Sequence, residues 1–531
     1  MAKDSHSFQK HMLFTVFKTL FYFSLLRVCS TTTTANYFNF ALSASTLDPT
    51  TEGFTITGEA SSYLGFSVNT AGDVDGDGYD DIIIGAYGKN SNKGIAYVIY
   101  GGETSSFLDI DLSQTTLDPH TTGFTIAGGT YYYLGYSVST AGDINNDGYD
   151  DIIIGAHAYS SSTGAAFVIY GGERSSMQNI DFNSGAILNP STTGFKITGS
   201  AGGDCLGRSV STAGDINHDG YDDIIVGAYG WSGQTGAAYV IYGGEKSSMS
   251  NWDFSVGAML SPHTTGFMMK GSASSDQLGW SVSTAGDVNK DEYADIIVGA
   301  NGKRSASGAA YVIFGGEKSS MSDLDWSTTT VTPSVNGFML IGPSGNNQLG
   351  ISVSTAGDIN NDGYADIITG AYRWSSNTGA VYVIYGGERS SMLNYDFDAP
   401  SALDPLTTGF IMTGNTASTY FGWSVSAAGD MNKDGYNDIL VGAYGESSSR
   451  GSVYVIYGGE KSSMKHLVFS SETLDPSSTG FIITGNANSD QFGFAVSVAG
   501  DINNDGYKDI IIGANTKSSN KGAAYVIHTG S

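Results

Sequence analysis

Short apolar runs bounded by Gly, Asp, Ser and Asn recur along the chain at a fixed interval. In the first interval Phe66–Thr70 and Asp81–Ile84 flank an acidic stretch, Ile95–Tyr100 is rich in β-formers, and Gly123–Ala127 follows turn residues around Asp118-Pro119. Brief runs of this kind between turn signals predict strands, four to a unit.

The unit is written seven times. AGDVDGDGYDDIIIGA from Ala71 returns as AGDINNDGYDDIIIGA from Ala141, and again from Ala213, Ala285, Ala356, Ala428 and Ala499. The leading Asp residues are spaced by 70, 72, 72, 71, 72 and 71 residues. Each unit carries a Leu/Phe-Gly pair upstream (Leu64-Gly65 through Phe492-Gly493) and a Gly-Ala pair downstream (Gly85-Ala86 through Gly513-Ala514). A GAAYVIYGG-like run, a GGEKSSM-like turn and a TTGFTITG-like segment complete it. Four strands in each of seven repeats suit radial blades, and a linear β-solenoid is the alternative. The termini discriminate. The last unit stops after KGAAYVIH without its fourth strand, and Ala35–Phe54 matches Ser105–Phe124 at the other end. An N-terminal strand that completes the last blade removes an exposed edge. The expected fold is all-β, a closed seven-bladed β-propeller of four-stranded blades.

Composition agrees: Gly is 73 of 531, Pro 9, and charged residues are 14%, against an ordinary ~25%, which disfavours long solvated helices. Two cysteines, Cys29 and Cys205, exclude a disulfide framework. Lys+Arg 24 against Asp+Glu 52 leaves a net charge of −28. That balance speaks against nucleic acid or anionic lipid as partner and invites cations.

The cations have an obvious place. Each acidic stretch reads D-x-[DN]-x-D-[GE]-Y-x-D. A hard ion such as Ca²⁺ takes six to eight oxygens, which side chains at loop positions 1, 3, 5 and 9 and the carbonyl at 7 would supply. The first loop offers Asp73, Asp75, Asp77, Asp81 and the Tyr79 carbonyl; the second offers Asp143, Asn145, Asp147, Asp151 and Tyr149. The third and fourth offer Asp215, Asn217, Asp219, Asp223 with Tyr221, and Asp287, Asn289, Asp291, Asp295 with Tyr293. The fifth has Asp358, Asn360, Asp362, Asp366 and Tyr364. Asp430, Asn432, Asp434, Asp438 and Tyr436 form the sixth, and Asp501, Asn503, Asp505, Asp509 and Tyr507 the seventh. Position 12 is Ile84 or Ile154 where an EF-hand needs Glu, so this is a strand–loop–strand site. Glu292 replaces the position-6 Gly, so the fourth of up to seven calcium sites is the one expected to be weak or empty. Capped polar turns are the bland alternative for one loop. For seven, the spacing crowds carboxylates without visible counter-charge, which favours bound calcium in a structural role.

Met1–His11 carries Lys3 and Lys10 and precedes the apolar run Met12–Val28. This layout predicts a secretory signal or anchor over residues 1–30 and places the remainder, 31–531, outside the cell. Lys18 and Arg27 interrupt the pattern, and the run is shorter than a comfortable membrane span.

Leu/Phe-Gly, acidic loop and Gly-Ala together resemble FG-GAP repeats, the blades of the integrin α-chain N-terminal propeller, over about 35–531. The resemblance implies calcium loops on a lower face, partners on an upper face, adhesion, and an integrin-β-type partner. Departures are Tyr, His or Asn after Gly-Ala in place of Pro, acidic loops in every blade, and no stalk segments. A secreted or cell-surface integrin-like propeller fits better than a membrane-spanning subunit.

Strand alternation puts the loops after Gly-Ala and before Leu/Phe-Gly on the face opposite the acidic loops. They hold Tyr131, Tyr132, Tyr133, Tyr159, Trp231, Arg304, Arg373, Trp374 and Tyr420, residue types that anchor protein interfaces and stack on sugars. A protein ligand or a glycan is the expected partner there; covering blade edges is the competing role. The eight His residues are scattered and Cys205 has no partner motif, so no catalytic constellation is visible. A propeller enzyme acting on polysaccharide is the weakest alternative.

Overall fold

The computed structural model describes residues 40–42, 47–399 and 403–529. The expected leader and Cys29 lie outside the described residues. Seven sheets radiate around one axis. In the first blade Ser67–Gly72, Asp81–Ala86, Ile95–Ile99 and Gly123–Ala127 pair antiparallel in that order. First strands of successive blades pack against one another all the way round, the first blade against the seventh included, which places them nearest the axis.

Closure is by the N-terminal segment. Gly53–Thr57 pairs antiparallel with Ala523–Ile527 and supplies the fourth strand of the seventh blade. The cores lie between blades rather than within them, and there are seven. Phe54 and Ile56 share one cluster with Leu64, Val68 and Ile82 of the first blade and with Ile511 and Val526 of the seventh. The closing interface is therefore built like its six siblings.

To the four antiparallel strands of each blade the structure adds a short fifth. Ile180–Asp181, from the segment between third and fourth strands of the second blade, pairs parallel with Gly123–Ala127 and adds a fifth strand to the first blade. Every sheet has such an addition; Phe40–Ala41 serves the sixth blade. Two-residue strands carry no readable periodicity, which is why the pattern misses them. The second strand also runs on through Gly85-Ala86. Gly is required there because a Cβ on Gly85 would lie 2.0 Å from the Gly135 carbonyl oxygen of the next blade. That same carbonyl accepts a 3.0 Å hydrogen bond from Ser67 Oγ, so the Leu-Gly and Gly-Ala pairs are the two halves of one interblade contact.

Candidate cation loops and the opposite loop face

Each acidic loop joins the first and second strands of its blade, and the next loop leaves the other end of the second strand. The pairs Gly72↔Asp81 and Ala86↔Ile95 mark those two ends. Tyr133 N–H bonds the Asn92 carbonyl at 3.1 Å, so the loop entering a blade joins the second-to-third-strand loop at the end away from the acidic residues.

The acidic loops share one backbone. The position-1 carboxylate accepts N–H bonds from positions 5 and 6, as Asp143 does from Asp147 at 3.0 Å and Gly148 at 2.8 Å. The position-9 carboxylate is wholly buried: Asp81 Oδ1 accepts from Gly101 N–H at 2.8 Å and Oδ2 from Val74 N–H at 3.0 Å. Burial pushes Asp81, Asp151, Asp223, Asp295 and Asp366 well above the usual carboxylate range, and Asp438 to about 8. A bound cation would offset that desolvation.

Two observations fit a hard cation. Asp73, Asp75 and Asp81 bring carboxylate oxygens within 4.8 Å of one another. In loops 2 to 5 the Oδ1 of Asn145, Asn217, Asn289 and Asn360 is buried without a hydrogen-bond donor. Their Nδ2 groups donate to the position-9 carboxylate, at 2.8 Å for Asn145 and Asn217. An orphaned carbonyl oxygen beside carboxylates is a donor set for Ca²⁺. Loops 6 and 7 differ: Asn432 and Asn503 Oδ1 accept from the Asp434 and Asp505 N–H groups, both at 2.9 Å.

The absence of counter-charge is corrected by the structure. Arg174, in the GGER turn of the second blade, contacts Asp75 at 2.5 Å and Asp77 at 2.6 Å in the first. Lys246 pairs with Asp147, Lys318 with Asp219, Arg389 with Asp291, and Lys461 with Asp362 at 2.7 Å. The partners are about a hundred residues apart, Lys246 and Asp147 by 99, so a one-unit reading of the repeat cannot join them. Among the described residues Asp434 and Asp505 have no basic partner. Glu292 holds a positive φ of 72°, as the fourth loop's departure requires.

On the other face, each second-to-third-strand loop makes a left-handed turn: Asn90, Ser91 and Asn92 have φ of 54°, 60° and 67°. Gly and Asn tolerate this conformation best, and Ser can bond the neighbouring backbone; these three types fill most of the positions, with Gln234, Arg304 and Ala306 as exceptions. Tyr132 and Tyr159 meet edge-on at 4.7 Å and pack onto the core between blades 1 and 2. Tyr133 stacks on Tyr87, and Tyr131 is exposed. Trp231 and Trp374 are half-buried against interblade clusters, and Arg304 is engaged by Asp396 and Asp398. Arg373 and Tyr420 line a cavity of about 760 Å³ between blades 5 and 6. Its other aromatics, Tyr372, Trp423 and Tyr444, went unread in the sequence, although they sit just after Gly-Ala or Leu/Phe-Gly pairs. Near the axis Arg208 lies between the rings of Tyr136 and Trp280, 4.7 and 4.4 Å from their centroids.

The comparisons agree with this architecture. The FG-GAP repeat family model matches residues 65–99, 134–169, 206–241, 278–313, 349–384, 421–456 and 492–527, one stretch per blade. The chain belongs to the FG-GAP repeat proteins and is integrin-α-like. It is 32% identical to integrin alpha pat-2 of Caenorhabditis elegans over 34% of this chain and 14% of that protein. It is 28% identical to integrin alpha-8 of Mus musculus over 46% of this chain and 20% of that protein. The matched part thus spans about a fifth or less of these curated relatives. Among solved structures, Sqt1 from Chaetomium thermophilum aligns with a TM-score of 0.40 at 11% identity, over 87% of this chain and 81% of that one, too distant to add to the fold. Among the described residues no helix is long and apolar enough to cross a membrane.

Proposed function

We propose that residues 31–531 form a calcium-braced recognition module, secreted or displayed at the cell surface, that holds a protein or glycan ligand on the face away from the acidic loops. The observation that carries it is the repeated separation of chemistry. Carboxylate and amide oxygens crowd one end of every blade, while the loops at the other end are built of Ser, Asn and Gly with aromatic and charged side chains among them. Loops on a rigid scaffold are the usual seat of binding function. The integrin α relatives support adhesion and an integrin-β-type partner. With no nucleophile–base pair in view, we read the module as non-catalytic, and the acidic charge argues against nucleic acid. Calcium acts in this reading as a brace for the ring.

The test is calorimetric titration with CaCl₂, followed by capture of surface proteins and glycans with calcium and with chelator. Calcium uptake at millimolar concentration and calcium-dependent retention of a defined class support the proposal. No uptake overturns the metal assignment, and no retention in either condition overturns recognition.

A further inference from the structure

We propose that the cavity between blades 5 and 6 binds a saccharide bearing a carboxylate, such as a hexuronic acid; this rests on the recognition reading above and names its ligand class. The cavity, about 760 Å³, falls in the range of small-molecule sites. Its charge is anomalous for this protein. A chain of net charge −28 lines it with no Asp or Glu, and with Arg373 as its one charged side chain.

Arg373 is placed to receive an anion. It is exposed, its Nε donates to Tyr372 Oη at 2.7 Å, and its guanidinium lies 5.4 Å from the Tyr372 ring centroid. Among the described residues no carboxylate lies within ion-pairing distance of it. Arg174, Arg304 and Arg389 are paired with Asp; of the other arginines without a carboxylate, Arg208 is held between two rings and Arg450 is half-buried, whereas Arg373 is exposed. Orientation through Nε leaves the terminal nitrogens for a carboxylate, the fork geometry in which arginine binds most strongly.

The rest of the lining suits a ring that carries hydroxyls. Tyr420 and Tyr444 stack nearly parallel at 4.9 Å, and Trp423 meets Tyr444 and Tyr372 edge-on at 5.2 and 5.0 Å. These flat faces are held by packing before any ligand arrives. Asn346, Asn377, Ser375 and Ser376 add amide and hydroxyl groups that donate and accept, the pairing sugar hydroxyls need. An acidic peptide would use Arg373 but would leave the aromatic faces and paired donor–acceptor groups without a matched partner, so the saccharide is favoured.

The experiment titrates the full chain, in calcium-containing buffer, with methyl glucuronide, with its neutral twin methyl glucoside, and with a short Glu-rich peptide. Binding is read by calorimetry and by tryptophan fluorescence. The glucuronide is expected to bind at least ten times more tightly than the glucoside. Arg373→Gln should abolish that preference without moving the thermal midpoint, and Tyr420→Ala should weaken both sugars. Equal affinity for the two sugars overturns the proposal, as does a preference that survives Arg373→Gln or saturable peptide binding without sugar binding. Calcium-dependent capture of another ligand, unchanged by Arg373→Gln, would leave the recognition reading standing while this assignment fell.

Discussion

Replacing Lys246 by Met removes the ammonium that the third blade inserts beside Asp147 of the second-blade loop. Both groups are under a third exposed, 29% and 28%, and a pair of this kind contributes at most about 1 kcal/mol to the fold. Its effect on calcium runs the other way and is larger. A divalent ion and an ammonium that share one carboxylate sit roughly 5 Å apart, where their repulsion is about 1.7 kcal/mol in a water-like dielectric and several times that near a protein surface. Without the ammonium, the second loop should bind calcium at least ~10-fold more tightly. If its Kd moved from about 1 mM to 0.1 mM, stabilisation at ~10 mM calcium would rise from about 1.4 to 2.7 kcal/mol. The signature is therefore a crossing. Lys246→Met should melt below the parent in chelator and close the gap or pass it in calcium, with calorimetry showing one tightened site. Lys318→Met should repeat the result in the third loop. Unchanged calcium affinity in both variants would refute the argument, because the ammonium would then not compete with an ion for Asp147.

Three further outcomes follow from the same geometry. Phe54, fully buried and stacked on Phe107 at 4.8 Å, anchors the closing strand; Phe54→Ala should cost about 3–5 kcal/mol in urea unfolding, and a loss under 1 would deny that strand its role in closure. Glu292→Gly relieves a side chain held at φ 72° and should stabilise the chain by about 0.5–1 kcal/mol, with destabilisation as the contrary result. Burial, with Arg208 nearby, pushes the His157 imidazole down to about 4, against ~6.5 in the unfolded chain. The unfolded chain thus takes up a proton that the folded one refuses. The share of stability tied to His157 is complete above about pH 6.5 and falls by roughly 3 kcal/mol as pH drops to 4, while the buried position-9 carboxylates, raised above their usual range, act in the opposite direction. The difference between parent and His157→Gln urea midpoints at pH 7, 5 and 4 isolates the His157 share and should shrink by that amount.

The seven units, the strands around each acidic loop, the acidic and amide residues that each loop gathers, and the split closing blade were legible in the sequence. Each is local: turn residues, β-formers and the 70–72-residue interval lie within one unit or between identical units. The tertiary structure decided what neighbouring blades do to one another. It places Arg174 on Asp77 and Lys246 on Asp147, supplies a fifth strand from Ile180–Asp181, and sets the Gly135 carbonyl where Gly85 can have no Cβ. It also packs Trp231 and Trp374, half-buried, against interblade cores while gathering Tyr372, Arg373, Tyr420, Trp423 and Tyr444 around one cavity. The physical reason is the same in each case. A repeat spells out its own strands and turns, whereas charge pairing, cavity shape and steric limits arise where the surface of one blade meets the next across a distance the chain order does not encode.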